Sequence, residues 1–339
     1  MSTQVPVRPT APRGLRVPSG SFALVKLRES AWPVALVMLF AALLAWQATH
    51  IRAWGAFELQ TMFTSTLPIA FLTLAQAVIV IGGGIDLSVG AQMVLFNCVS
   101  AWLMKDVGFA GALGMSAVTL LLGVLLGVLT AWVVTTSGIP DIIVTLATSF
   151  VWLGLALVVM PAPGGGADPA FQALVQGGPS SYWPALVVLA VPMLLVLFPL
   201  RRTRAGLAVF ALGSNPQAAF LAGVSAGRAR MTAYAVGGFF AALAGLATTA
   251  YTGGGAATPS VANVGTLASV AGIVLGGVAL TGGVGGFFGP VVAVWCLFLV
   301  SSNLLVLGVD PSWGEVVRGV IIVVVVLVGS LLRARWSRS

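Results

Sequence analysis

Residues 61–104 read TMFTSTLPIAFLTLAQAVIVIGGGIDLSVGAQMVLFNCVSAWLM, and only one of them, Asp86, carries a charge. Two apolar stretches, 61–82 and 86–104, meet at a joint containing three glycines. Each has about the 20 residues a helix needs to cross a bilayer core of roughly 30 Å. Inside lipid every backbone N–H must find a partner within the segment, so these stretches are read as helices rather than open strands.

The same pattern extends in both directions. Further apolar runs cover 31–49, 109–137, 141–160, 181–199, 227–251, 264–281, 287–308 and 314–332, which makes ten. Of the 339 residues, 59% are hydrophobic and 7% charged, and the mean hydropathy is +1.07. A soluble domain carries about 25% charged residues, so lipid is the main solvent of this chain. The expected fold is all-α, a polytopic transmembrane bundle of about ten helices. The first run is long enough to span and has no small-residue cleavage site after it, so it is read as an uncleaved first helix. A basic, disordered tail is expected over 1–30, a transmembrane domain over 31–332 and a second basic tail over 333–339.

Charge gives the orientation. With both termini inside, 13 of the 16 basic residues fall on the cytoplasmic side, and Arg52, Lys105 and Arg318 fall outside. Cytoplasmic connections are the ones enriched in Lys and Arg, so N-in and C-in is expected. The net charge of +8 therefore serves orientation, and no dense basic face for nucleic acid is present. Cys98 and Cys296 lie in apolar runs and are read as small hydrophobes, not a disulfide framework. His50 is the single histidine, so no metal site is expected. The chain contains no G-x-x-x-x-G-K-[ST] and only two lysines, Lys26 and Lys105, so it holds no P-loop for ATP. No catalytic constellation is visible, and no cofactor is expected in this chain.

The longest cytoplasmic connection, 200–226, reads LRRTRAGLAVFALGSNPQAAFLAGVSA. Ser214 or Asn215 can cap a helix whose first residue is Pro216, with Gln217–Ala222 as its body and Gly223 as its stop. Such a short helix is unstable alone in water. It either rests on the membrane or docks a partner. In IGGGIDLSVGAQ, residues 81–92, the glycines allow tight turns and close helix approach. Asp86 is expected to cap a helix beginning at Leu87, near the cytoplasmic interface or buried against partners. In SGIPDIIVTLAT, 137–148, Pro140 and Asp141 open a helix. GGVALTGGVGGFFGP, 276–290, is a glycine-rich interruption between helices. Residues 161–180 form an outside loop with one helical turn. Gln76, Gln92, Asn97 and Asn303 are polar residues available to line a pathway, or to bond between helices.

These motifs, in this order, resemble the ribose-type (monosaccharide) ABC transporter permeases. The matching elements are GGIDLSVGA at 83–91, IPDIIVTLAT at 139–148, TRAGLAVFALGSNPQAAFLAGV at 203–224, GGVALTGGVGGFFGP at 276–290 and LGVDPSWGEVVRGVII at 307–322. The resemblance implies the inner-membrane subunit of a binding-protein-dependent importer, forming the path for a monosaccharide or similar small polar solute. It implies a second permease subunit, identical or related, two cytoplasmic ATPase domains that bind ATP and Mg, and an exported sugar-binding protein. It also implies a coupling segment that seats in the ATPase, here Gly213, Asn215, Pro216, Ala218, Ala219 and Gly223. Gly83, Gly84, Asp86, Ser88, Gly90, Gly282, Gly283 and Gly285 become gate or structural positions. The chain departs from the family where acids usually precede the last glycine-rich joint, with Thr266–Ser269 in their place. An ATP-independent secondary transporter or channel is the alternative reading, and a membrane-embedded enzyme a more distant one.

Overall fold

The computed structural model describes residues 19–310 together with 313, 314, 316, 317, 319, 320 and 323, with side chains from Trp32 onward. Most of the apolar run 314–332, the tail 333–339 and the first 18 residues of the tail 1–30 lie outside the described residues. Among the described residues all regular structure is helical. Seven helices are long and apolar enough to cross a membrane. They are α1 (Ser19–His50, the apolar part from Trp32), α2 (Ala56–Ile81), α4 (Phe109–Ser137), α5 (Asp141–Val159), Trp183–Leu200, α11 (Ala226–Thr252) and α13 (Phe288–Val306). Trp183–Leu200 runs as α7 (Trp183–Pro192), a π turn (Met193–Leu197) and α8 (Phe198–Leu200). Pro199 has no N–H to give the preceding turn, which fits a locally rewound backbone. Helix α1 begins at Ser19, inside the stretch expected to be a disordered tail.

Two expected spans are shorter helices. The run 86–104 becomes α3 (Val89–Leu103), and 264–281 becomes α12 (Pro259–Leu275). In both, apolar joint residues carry the hydropathy past the helix end, and α12 also begins five residues ahead of its run. Short helices α6 (Pro169–Gln176), α9 (Arg204–Ser214) and α10 (Pro216–Leu221) complete the set. Helix α6 has two turns where one was expected, its start fixed by Asp168, whose Oδ1 accepts from Ala170 N at 2.8 Å.

Helices α2 and α11 form the centre. Helix α11 lies chiefly against α4, α2 and α3. Lipid tails are as apolar as leucine, so helices associate in membranes through close packing of small residues. The α4–α11 crossing is built this way: a Cβ on Gly127 would run into the Tyr234 carbonyl, and one on Gly238 into the Gly123 carbonyl. Gly245 lies equally close to Phe96 and Asn97 of α3. The outer faces of α4 and α5 carry exposed Leu121, Leu125, Phe150 and Val158, as lipid-facing surfaces do.

The connections gather into two sets. At one end, Gly283 N donates to Ile81 O at 2.8 Å, Leu87 N to Thr145 Oγ1 at 3.0 Å and Arg201 Nη2 to Gly285 O at 3.2 Å. At the other, Gly164 and Gly255 exchange backbone bonds of 3.0 and 2.8 Å, and Gly166 N reaches Ala101 O at 2.9 Å. Gln176 Nε2 also donates there to Ala250 O at 2.7 Å. The first end collects 82–88, 138–140, 201–225 and 276–287; the second collects 104–108, 160–182 and 253–258.

Candidate functional site

At the first end, three glycine motifs distant in sequence cross at one point. Gly213, one residue from the end of α9, lies directly on the last turn of α2. A Cβ there would collide with the Ile81 carbonyl and approach Gly283 N to 2.6 Å. A Cβ on Gly282 would come within 3.0 Å of Gly83 Cα and 3.1 Å of Gly213 Cα. Gly83 and Gly282 have φ of +84° and +87°, a region side-chain-bearing residues rarely enter. The three segments thus touch backbone to backbone.

Asn215 joins this crossing to α10. It is the C-cap of α9 and the N-cap of α10, and its Oδ1 accepts from Ala218 N at 3.0 Å. Pro216 occupies the first helical position, where a missing N–H costs nothing. The helix stops where Val224 N donates to Ala219 O and Gly223 N to Phe220 O, both at 2.9 Å. That is the Schellman arrangement, with Gly223 at φ +77°. Ala219 is 4% exposed and turned toward the protein, whereas Phe220 and Leu221 are 76% and 86% exposed. Of the coupling residues expected from sequence, Asn215, Pro216, Ala218 and Gly223 are exposed, and Gly213 and Ala219 are buried. The two large apolar residues at the tip were not singled out in the sequence. Their signal was two bulky hydrophobes ending a short capped helix in a cytoplasmic connection.

Asp86 is 1% exposed. Its Oδ1 accepts from Ser88 N at 2.7 Å and Ser88 Oγ at 2.6 Å, and Oδ2 takes Gln92 Nε2 at 3.4 Å. The carboxylate thus closes the joint just ahead of α3, which begins at Val89, not Leu87. It is buried against partners, one of the two placements expected. Ser88 Oγ also accepts from Gln92 Nε2 at 2.9 Å. Gly84 lies against Asp141 and Tyr234, whose hydroxyl donates to Asp141 Oδ2 at 3.4 Å. The GGGID and IPDIIVTLAT motifs are therefore one structural unit, tied also through Thr145. Gly90 faces the Ala262 carbonyl with no room for a Cβ, and its N–H donates to Thr266 Oγ1 at 3.1 Å. Thr266, in the uncharged stretch where the family usually carries acids, holds α12 to α3. Gly285 accepts from Arg201, as above.

The four polar residues expected along a pathway separate clearly. Asn97 borders a cavity of about 630 Å³ at the second end, beside Ser65, Thr248 and Tyr251. Its own atoms are engaged: Nδ2 with Thr249 Oγ1 at 2.9 Å and Gly254 O at 3.0 Å, Oδ1 with Ala256 N at 3.0 Å. It holds the 254–256 turn. Asn303 Nδ2 donates to Leu43 O at 3.2 Å, and Gln92 serves the Asp86 joint. Gln76 is fully buried in α2, and neither amide atom has a protein partner.

The family model described as branched-chain amino acid transport system / permease component matches residues 59–326. The galactose/methyl galactoside import permease MglC of Escherichia coli is 28% identical, the match covering 92% of this chain and 97% of that one. A probable ABC transporter permease of Sinorhizobium fredii is 30% identical over 89% of both chains. The fructose import permease FrcC of Rhizobium meliloti is 27% identical over 91% of this chain and 87% of its own. No solved structure matches.

Proposed function

Because this chain belongs to the family of branched-chain amino acid transport system permease components, we propose that it forms the path for a monosaccharide, or a similar small polar solute, in an ABC importer. Relatives that import galactosides and fructose support the sugar class. In this reading the chain sits in the bacterial plasma membrane with both termini cytoplasmic and ten crossings. The grouping of connections into two ends supports it, since Arg201, Arg202, Arg204, Arg228 and Arg230 fall at the first end, and Lys105 at the second. The first end is then cytoplasmic. The chain pairs with a second permease subunit, identical or related. Two ATPase domains bind ATP and Mg below it, and an exported binding protein delivers solute to the second end, where the Asn97 cavity opens.

The observation that carries this reading is the continuity from α10 to the glycine crossing. A partner that seats Phe220 and Leu221 and then moves displaces α10. Asn215 caps both helices, so α9 moves with α10, and Gly213 bears on Ile81 and Gly283 with no side chain between to absorb the motion. The push reaches the end of α2 and the joint before α13 together. Gln76, five residues before Ile81 on α2, has both amide atoms unpartnered, whereas Gln92 and Asn303 each leave only the amide oxygen so, and it is the residue we assign to meet solute or water along the path.

Co-purification with the cognate ATPase tests the docking claim. Burying a large apolar side chain is worth about 1.5–3 kcal/mol. Phe220→Ser with Leu221→Ser should therefore weaken association roughly a hundredfold or more, with membrane insertion unchanged. Undiminished association would overturn the assignment of α10.

A further inference from the structure

The first end holds another cavity, of about 690 Å³, between the start of the α1 span, the Arg201 turn and residues 276–289. Among the described residues Arg201 is the one charged residue on its wall. The guanidinium carbon sits 5.5 Å from the centre of the Phe210 ring and 5.9 Å from that of Phe287. One N–H is used on Gly285 O at 3.2 Å. A guanidinium has five N–H groups, so donors remain for a ligand, and among the described residues no carboxylate lines the wall. Trp32 also lines the cavity, its indole N–H donating to Leu275 O at 2.9 Å. Trp and Arg together mark the depth of a membrane–water interface. Pro33 also lines the cavity, and one turn along α1 from it Val37 is exposed toward lipid.

We propose that this cavity binds the headgroup phosphate of an anionic phospholipid, with an acyl chain lying on the exposed face of α1. Arginine between aromatic rings suits a phosphate through its planar fork of donors. The apolar edge from Pro33 to Val37 favours a lipid over free phosphate. The sequence before Trp32 carries Lys26 and Arg28 against Glu29 alone, and Arg204 follows Arg201, so the flanking segments are net basic, as an anionic leaflet favours. Gly283 belongs both to this wall and to the glycine crossing, so a bound lipid would brace the joint through which α10 acts. The inference rests on the cytoplasmic placement of the first end, but its test reads lipid binding and needs neither solute nor ATPase.

The full chain is purified from bilayers of phosphatidylcholine doped with phosphatidylglycerol, and retained lipid is counted by native mass spectrometry. Phosphatidylglycerol should be held in preference to phosphatidylcholine. Arg201→Gln should lower its retention about tenfold, the worth of one hydrogen bond to a charged group. Arg202→Gln should leave retention unchanged, because Arg202 lies over Phe198 outside the cavity, 4.3 Å from that ring centre. Millimolar inorganic phosphate should not displace the lipid. Equal retention of the two lipids, an Arg201→Gln chain that holds phosphatidylglycerol as the native one does, or displacement by inorganic phosphate would each overturn the proposal.

Discussion

Gln76 offers the sharpest separation of structural from functional roles at the level of single residues. An amide buried without partners costs about 1–3 kcal/mol, so Gln76→Leu should leave thermal stability equal or higher. If the amide meets solute on the path, the same variant should lose transport. Stability that falls while transport persists would contradict the assignment. Asp86 predicts the reverse. Its carboxylate satisfies Ser88 N, Ser88 Oγ and Gln92 Nε2, so Asp86→Ala should cost at least about 1–3 kcal/mol, read as a lower unfolding temperature in detergent. From sequence, Asp86 was legible as a joint residue because it stands alone in an apolar stretch. Gln76 was indistinguishable from Gln92, Asn97 and Asn303. What separates them is which neighbours other helices bring, and no local pattern encodes that.

At the scale of elements, α10 was readable almost to the residue, since a cap, a proline and a glycine act within one turn of the helix they bound. Removing the cap with Asn215→Ala should cost about 1 kcal/mol. Amide exchange at Ala218, whose N–H loses its acceptor, should then accelerate, and unchanged exchange would argue that the cap is idle. The α4–α11 crossing makes a second prediction. Gly127→Leu drives a side chain into the Tyr234 carbonyl; the expected loss is several kcal/mol of stability, seen as poor recovery of folded chain. Helices α3 and α12 were less legible. Their joints are built from Ile, Leu, Val and Ala as well as Gly, so hydropathy runs through the turn and the spans read too long. The outward faces of Phe220 and Leu221 were missed for a related reason. In a six-residue helix, exposure depends on what lies beneath, and Ala219 is the residue buried instead.

For the molecule as a whole, the two groups of connections make sidedness measurable. Cys98 and Cys296 are buried, so an introduced cysteine dominates labelling by a membrane-impermeant maleimide. Ser180→Cys should react in intact cells, and Phe220→Cys only after the cytoplasmic face is opened. The lipid-embedded character was legible from composition alone, and the family from five ordered motifs. The meeting of three of those motifs at one crossing was not, because Ile81, Gly213 and Gly283 are far apart along the chain. The most direct measurement is solute uptake into proteoliposomes holding the purified permease with its binding protein, with and without the cognate ATPase and ATP. Uptake should require both ATPase and ATP, and should vanish when Phe220 and Leu221 are both serine. Uptake by the permease with no ATPase present would contradict the account.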